Sequence, residues 1–151
     1  IGEATNGVVV TDERSAKGAQ SALDGVALAL PALLRAEKLQ KRAARVGFDW
    51  PDAQGPTDKV VEELAELASA GTELERAEEA GDLLFATVNL VRAHGLSAEE
   101  ALRAANLKFE RRFTAMETLA AQRDQDFAAL SLDEQEALWL DVKAAEPRKP
   151  A

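Results

Sequence analysis

Residues 57–95 read TDKVVEELAELASAGTELERAEEAGDLLFATVNLVRAHG, and the fold turns on how this stretch is laid out. Val60, Val61, Leu64, Leu67 and Ala68 recur at helical spacing as one apolar stripe, while Glu62, Glu63 and Glu66 fan across the opposite side. Gly71 stops that helix, and Thr72 with Glu75 three residues later has the spacing of a capping box, which starts the next. From Leu83 to Val91 the chain is apolar almost all the way round, so the second helix should be buried on most sides. The spacing predicts helices over 58–70 and 73–94, antiparallel about the short Gly71-Thr72 turn. That turn brings the Glu63/Glu66 turn towards the Glu79/Asp82 turn.

The same signals organise the rest of the chain. Leu23, Val26, Leu30, Leu33, Leu34 and Val46 predict a helix over 23–46, with Pro31 as a start or kink and Gly47 as its end. Phe48-Asp49-Trp50-Pro51 forms a connecting loop, after which Thr57 can cap. Gly95 suits a left-handed helix C-terminus, and the Ser97/Glu100 and Ser131/Glu134 pairs start helices over 98–121 and 132–145. The fold class is all-α, a bundle of about five helices. Residues 1–20, rich in Gly, Ser and Thr around Val8-Val9-Val10, read as a flexible leader or linker; 21–146 form one domain and 147–151 a tail. The chain begins at Ile1, which leaves room for an upstream segment.

Composition narrows the function. With 151 residues and a formal net charge of −9, the chain lacks the basic surface that a nucleic-acid polymer or an anionic membrane demands. No run approaches the ~18 apolar residues of a membrane span, and no signal-peptide pattern is present, so a cytoplasmic location is expected. There is no cysteine, which removes disulfides and thiolate chemistry, and the single His94 excludes His-rich zinc sites. The negative charge is concentrated: Glu62 to Asp82 holds eight carboxylates against one base, Arg76.

A solvated acidic face is the plain explanation of any one of these glutamates. Glu79 and Asp82 resist it, because they lead into the apolar helix, where uncompensated charge is costly. Four converging carboxylates, Glu63, Glu66, Glu79 and Asp82, without histidine or cysteine make a hard oxygen site suited to Mg²⁺ or Mn²⁺. Mg²⁺ held this way commonly completes its shell with substrate phosphates. Two further pairs carry cations at i, i+4 spacing: Lys108 with Arg112, and Lys143 beside Trp139. Balancing the acidic bundle, and plain core packing for Trp139, are the structural alternatives. Lys41 and Arg45 share a side and could approach phosphates or simply be solvated. Asn89 could meet a sugar or base or bond between helices.

Glu62-Glu63-x-x-Glu66 followed by Glu79-x-x-Asp82 resembles the EExxE…ExxD signature of the MazG family of all-α nucleoside triphosphate pyrophosphohydrolases. The likeness extends to Ser21–Val26, Leu39–Trp50, Glu79–Phe85 and Asn106–Phe113, and covers roughly residues 21–146. These segments are similar to the C-terminal catalytic domain of two-domain members. The resemblance implies Mg²⁺-dependent hydrolysis of (deoxy)nucleoside triphosphates to monophosphate and pyrophosphate, with broad specificity in clearing the nucleotide pool and Mn²⁺ as a substitute metal. It implies Glu63, Glu66, Glu79 and Asp82 as metal ligands and Glu62 as the group that orients or deprotonates the attacking water. It also implies Lys108, Arg112, Trp139 and Lys143 as nucleotide-binding groups, and a site between helices of a homodimer or dimer of dimers. The apolar surplus of the 73–94 helix points to a dimer as well. Some relatives carry a lysine four residues before the ExxD glutamate, where this chain has Glu75. A non-catalytic helical interaction module and a dUTP- or dCTP-restricted pyrophosphatase are the other two readings of the same residues.

Overall fold

The computed structural model describes residues 20–150. Five α-helices account for most of them: α1 Ala32–Arg45, α2 Gln54–Ser69, α3 Glu73–Ala93, α4 Ala98–Gln122 and α5 Leu132–Ala145, with a single 3-10 turn at Phe127–Ala129 before α5. No strand occurs among the described residues. The proposed leader, including Val8-Val9-Val10, lies outside them except for Gln20.

The local chemistry explains most boundaries. Thr72 accepts from the Glu75 amide while Glu75 accepts from the Thr72 amide, so the capping box at the head of α3 is complete. Ser131 and Glu134 close the same box at α5, and Ser97 accepts from the Glu100 amide at α4. Gly47 and Gly95 adopt φ of +94° and +77° behind α1 and α3, the left-handed conformation that ends helices.

Two starts differ from the sequence expectation. Helix α1 begins after Pro31 rather than at residue 23. Proline disfavours helical geometry at the residue before it, and residues 21–30 make turns instead. There the Asp24 carboxylate accepts from the amides of Gln20 and Ser21, Gly25 is left-handed at φ +89°, and the Arg42 guanidinium donates to the carbonyls of Ala22 and Asp24. Helix α2 begins at Gln54, three residues before Thr57. Buried Pro56 falls in the first turn, where its missing N–H would have no partner. Thr57 is therefore not a cap; its hydroxyl donates back to the Ala53 carbonyl.

The chain forms two compact units, one up to Glu100 and one from Ala101. In the first, α2 and α1 each pack on α3, with Ala86 and Val88 of α3 buried. Much of its apolar surface stays uncovered in one chain: Val61, Leu64, Leu84 and Phe85 are 61%, 51%, 59% and 47% exposed. The α2 stripe read as core is thus only half covered. In the second unit Met116, Ala120, Leu138 and Val142 form the core, with Phe127, Leu130 and Trp139 packed on it.

Candidate active site

The α2–α3 hairpin sets the geometry of the acids. Glu63 is on the α3-facing part of α2 and only 5% exposed, whereas Glu62 and Glu66 on either side are exposed. Glu79 and Asp82, one turn apart on α3, come towards it. One carboxylate oxygen from each of Glu63, Glu79 and Asp82 lies within 4.8 Å of the other two. Glu66 is outside this trio but near enough to act on it by charge. Partial desolvation, followed by repulsion from Glu63, Glu66, Asp82 and Glu78, raises the Glu79 pKa above the usual carboxylate value.

A cation missed in the sequence reading stands beside the trio. Lys59 Nζ is 2.8 Å from Glu62 and 3.7 Å from Glu63. Its pKa is raised, first by the hydrogen bond to Glu62 and then by the fields of Glu62, Glu63 and Asp82. Its position three and four residues before the paired glutamates was the available signal.

Glu63, Asp82 and Lys59 line one end of a cavity of about 760 Å³ in the first unit. The rest of its wall includes Leu39, Gln40, Phe48, Trp50, Phe85 and Asn89. Trp50 lies so close over Gly55 that a Cβ there would come within 2.3 Å of the ring. Arg92 ties α3 to the loop after α1, donating to Asp49 at 2.7 Å and to Asn89 Oδ1 at 2.8 Å. The Arg92 hydrogen bond holds the Asp49 carboxyl below its usual range.

The remaining candidates, Lys108, Arg112, Trp139 and Lys143, belong to the second unit. Arg112 gives Glu146 two hydrogen bonds of 2.8 Å, a fork on a carboxylate. Its guanidinium carbon is 5.5 Å from the centre of the Trp139 ring, which also meets Phe109 at 6.0 Å. That bond raises the Arg112 pKa and lowers that of Glu146. Lys108 and Lys143 are exposed. Glu75, where some relatives have lysine, is used by the cap: its Oε1 accepts from Gly71 and Thr72.

Comparison with known proteins gives the family. Residues 36–108 match the phosphoribosyl-ATP pyrophosphohydrolase family. The nucleoside triphosphate pyrophosphohydrolase of Escherichia coli K12 is 46% identical over 91% of this chain and 54% of its own length. The nucleoside triphosphate pyrophosphohydrolase/pyrophosphatase MazG of Thermotoga maritima is 40% identical over 78% of this chain and 46% of its own. The chain belongs to the MazG family. The uncharacterized protein YabN of Bacillus subtilis is 43% identical over 85% of this chain but 27% of its own length. The chain therefore spans about half the length, or less, of the curated relatives it matches. No helix among the described residues is long and apolar enough to cross a membrane.

The mutual repulsion at this site gives a testable pH dependence. Because the folded Glu79 pKa is raised, the group favours folding most at low pH, and that contribution is lost as pH rises through its folded value. Asp82→Asn removes one repelling neighbour. It is expected to raise the Tm of the metal-free chain at pH 7 and to raise it less at pH 4, where Glu79 is largely protonated. Melting by circular dichroism at both pH values checks this, and equal shifts would contradict it.

Proposed function

We propose that this chain hydrolyses nucleoside triphosphates between the α and β phosphates, releasing the monophosphate and pyrophosphate. The observation that carries the reading is the trio of Glu63, Glu79 and Asp82, two of which, Glu63 and Asp82, line a cavity walled otherwise by apolar, aromatic and amide side chains and the Asp49–Arg92 ion pair. Three carboxylate oxygens within 4.8 Å of one another repel unless a cation joins them, and an all-oxygen donor set matches Mg²⁺, with Mn²⁺ as substitute. Glu63, Glu79 and Asp82 would hold the ion and Glu66 would add charge at its edge. When bound, such an ion supplies Lewis-acid charge to phosphate oxygens.

The chain's own residues do the rest. Glu62, exposed beside Glu63, orients or deprotonates the attacking water. Lys59 neutralises Glu62 and Glu63 and is placed to shift onto an incoming phosphate. Lys108, Arg112 and Lys143 contribute cations for the triphosphate, and Trp139 an aromatic face for the nucleoside. Arg112 already holds an oxyanion, the Glu146 carboxylate, in the two-pronged manner that also suits a phosphate. The names of the two pyrophosphohydrolase relatives support the same chemistry. Broad specificity in nucleotide-pool clearance, in the cytoplasm, completes the proposal.

The functional unit is a homodimer or a dimer of dimers. Val61, Leu64, Leu84 and Phe85 are exposed on the two helices that carry the acids, and a second copy packed there would cover them.

Three measurements test these readings. Glu63→Gln is expected to reduce pyrophosphate release about a hundredfold or more at saturating Mg²⁺ while the helical circular dichroism spectrum is kept. Ion-exchange chromatography of the wild-type reaction should show monophosphate and pyrophosphate; diphosphate and orthophosphate would contradict the bond assignment. Light scattering should give at least twice the 16.2 kDa chain mass, and a fully active monomer would overturn the dimer.

A further inference from the structure

In the second unit one guanidinium is held from two sides and left open on a third. An arginine carries five N–H donors on three nitrogens. Arg112 on α4 spends two of those nitrogens on Glu146: Nε donates to Oε2 and Nη2 to Oε1, each at 2.8 Å. Its Nη1 makes no hydrogen bond among the described residues. The guanidinium carbon lies 5.5 Å from the centre of the Trp139 ring, a cation–π distance. That ring is itself fixed by an aromatic row, in which Phe109 meets Trp139 at 6.0 Å, Phe113 meets Phe109 at 5.8 Å and Phe127 meets Phe113 at 5.3 Å.

Glu146 reaches this place from the far end of α5, 34 positions along the chain. It is the residue that closes the helix, with its amide on the Lys143 carbonyl at 3.2 Å. The Arg112 hydrogen bonds hold its carboxyl below the usual range, and the charges of Arg112, Arg111 and Lys143 add to the effect. One carboxylate thus stands among three cations, on a chain whose net charge is −9. The cluster keeps a positive surplus after the ion pair is counted. Joining α4 to α5 accounts for the fork, but not for the surplus or for the open nitrogen.

We propose that Glu146 is a positioning residue: it turns Arg112 so that Nη1 meets an oxygen of the substrate's triphosphate. The proposal rests on the pyrophosphohydrolase reading, with Arg112 as one of its phosphate-binding cations, and adds what aims that cation. Because Nε and Nη2 carry the fork, a phosphate reaches Nη1 without displacing the carboxylate. Glu146 is therefore a brace and not a competitor for the guanidinium. A long side chain held in one geometry before the substrate arrives removes an ordering cost from binding. The fork and the Trp139 ring together supply that hold.

The test is a double-mutant cycle read in KM for ATP, which unlike kcat does not depend on how much of a preparation is folded. Glu146→Gln keeps the size and removes the charge and half of the fork. In the wild-type background it is expected to raise KM about tenfold. In the Arg112→Ala background, where no guanidinium is left to aim, it should change KM less than twofold. An equal rise in both backgrounds would show a merely structural effect and overturn the proposal. An unchanged KM in Glu146→Gln would overturn it too, and so would a lower one, the mark of a carboxylate that competes with substrate. Should Glu146→Gln lose the helical circular dichroism spectrum, Glu146→Ala takes its place with the same expectations. Failure of the wild type to release pyrophosphate from any nucleotide would instead remove the pyrophosphohydrolase reading. Calorimetry with inorganic triphosphate then decides the positioning role separately: binding weakened about tenfold by Glu146→Gln only when Arg112 is present supports it. Binding unchanged by the substitution, or absent from the wild type, overturns it.

Discussion

Three carboxylates held against their own repulsion organise this chain. Glu63, Glu79 and Asp82 converge because a capped turn at Thr72 folds α3 back on α2, and the packing of the two helices keeps them there. Partial desolvation and, after it, this repulsion raise the Glu79 pKa. Lys59 relieves part of it through Glu62 and Glu63. A fold that retains this arrangement spends stability on it, as functional sites commonly do.

The surroundings suit a substrate with a charged end and a flat, mostly apolar end. Glu63, Asp82 and Lys59 line part of the cavity, and aliphatic, aromatic and amide side chains with the Asp49–Arg92 pair line the rest. Two remote contacts keep that second part in shape: Arg92 bonds Asp49 and Asn89 together, and Gly55 admits the Trp50 ring. The exposed Val61, Leu64, Leu84 and Phe85 lie on the same two helices as the acids. Association through these helices would stiffen the elements that position the trio.

Local signals made much of this readable in the sequence. The capping boxes at Thr72 and Ser131 and the left-handed Gly47 and Gly95 need only neighbours within a few residues, and each acts where the spacing puts it. The two misplaced helix starts share a cause: Pro31 bars helix before it, whereas Pro56 is welcome in a first turn. Glu63, Glu79 and Asp82 were legible because one short turn relates them. Gln40 on Phe85 and Arg92 on Asp49 join residues 45 and 43 positions apart, and no periodicity reports such pairs. The exposure of Leu64 was hidden for another reason, since an apolar stripe looks the same whether its cover comes from its own chain or another.

The central claim is that Glu63, Glu79 and Asp82 together hold a divalent cation. Manganese(II) titration followed by electron paramagnetic resonance measures it directly, without substrate or turnover. The wild type and Glu78→Gln, which alters a neighbouring acid outside the trio, should each remove free Mn²⁺ with saturable binding, and Asp82→Asn should lose it. Indistinguishable Mn²⁺ uptake by all three proteins would mean that the acids are a diffuse charged surface, and the account would fail.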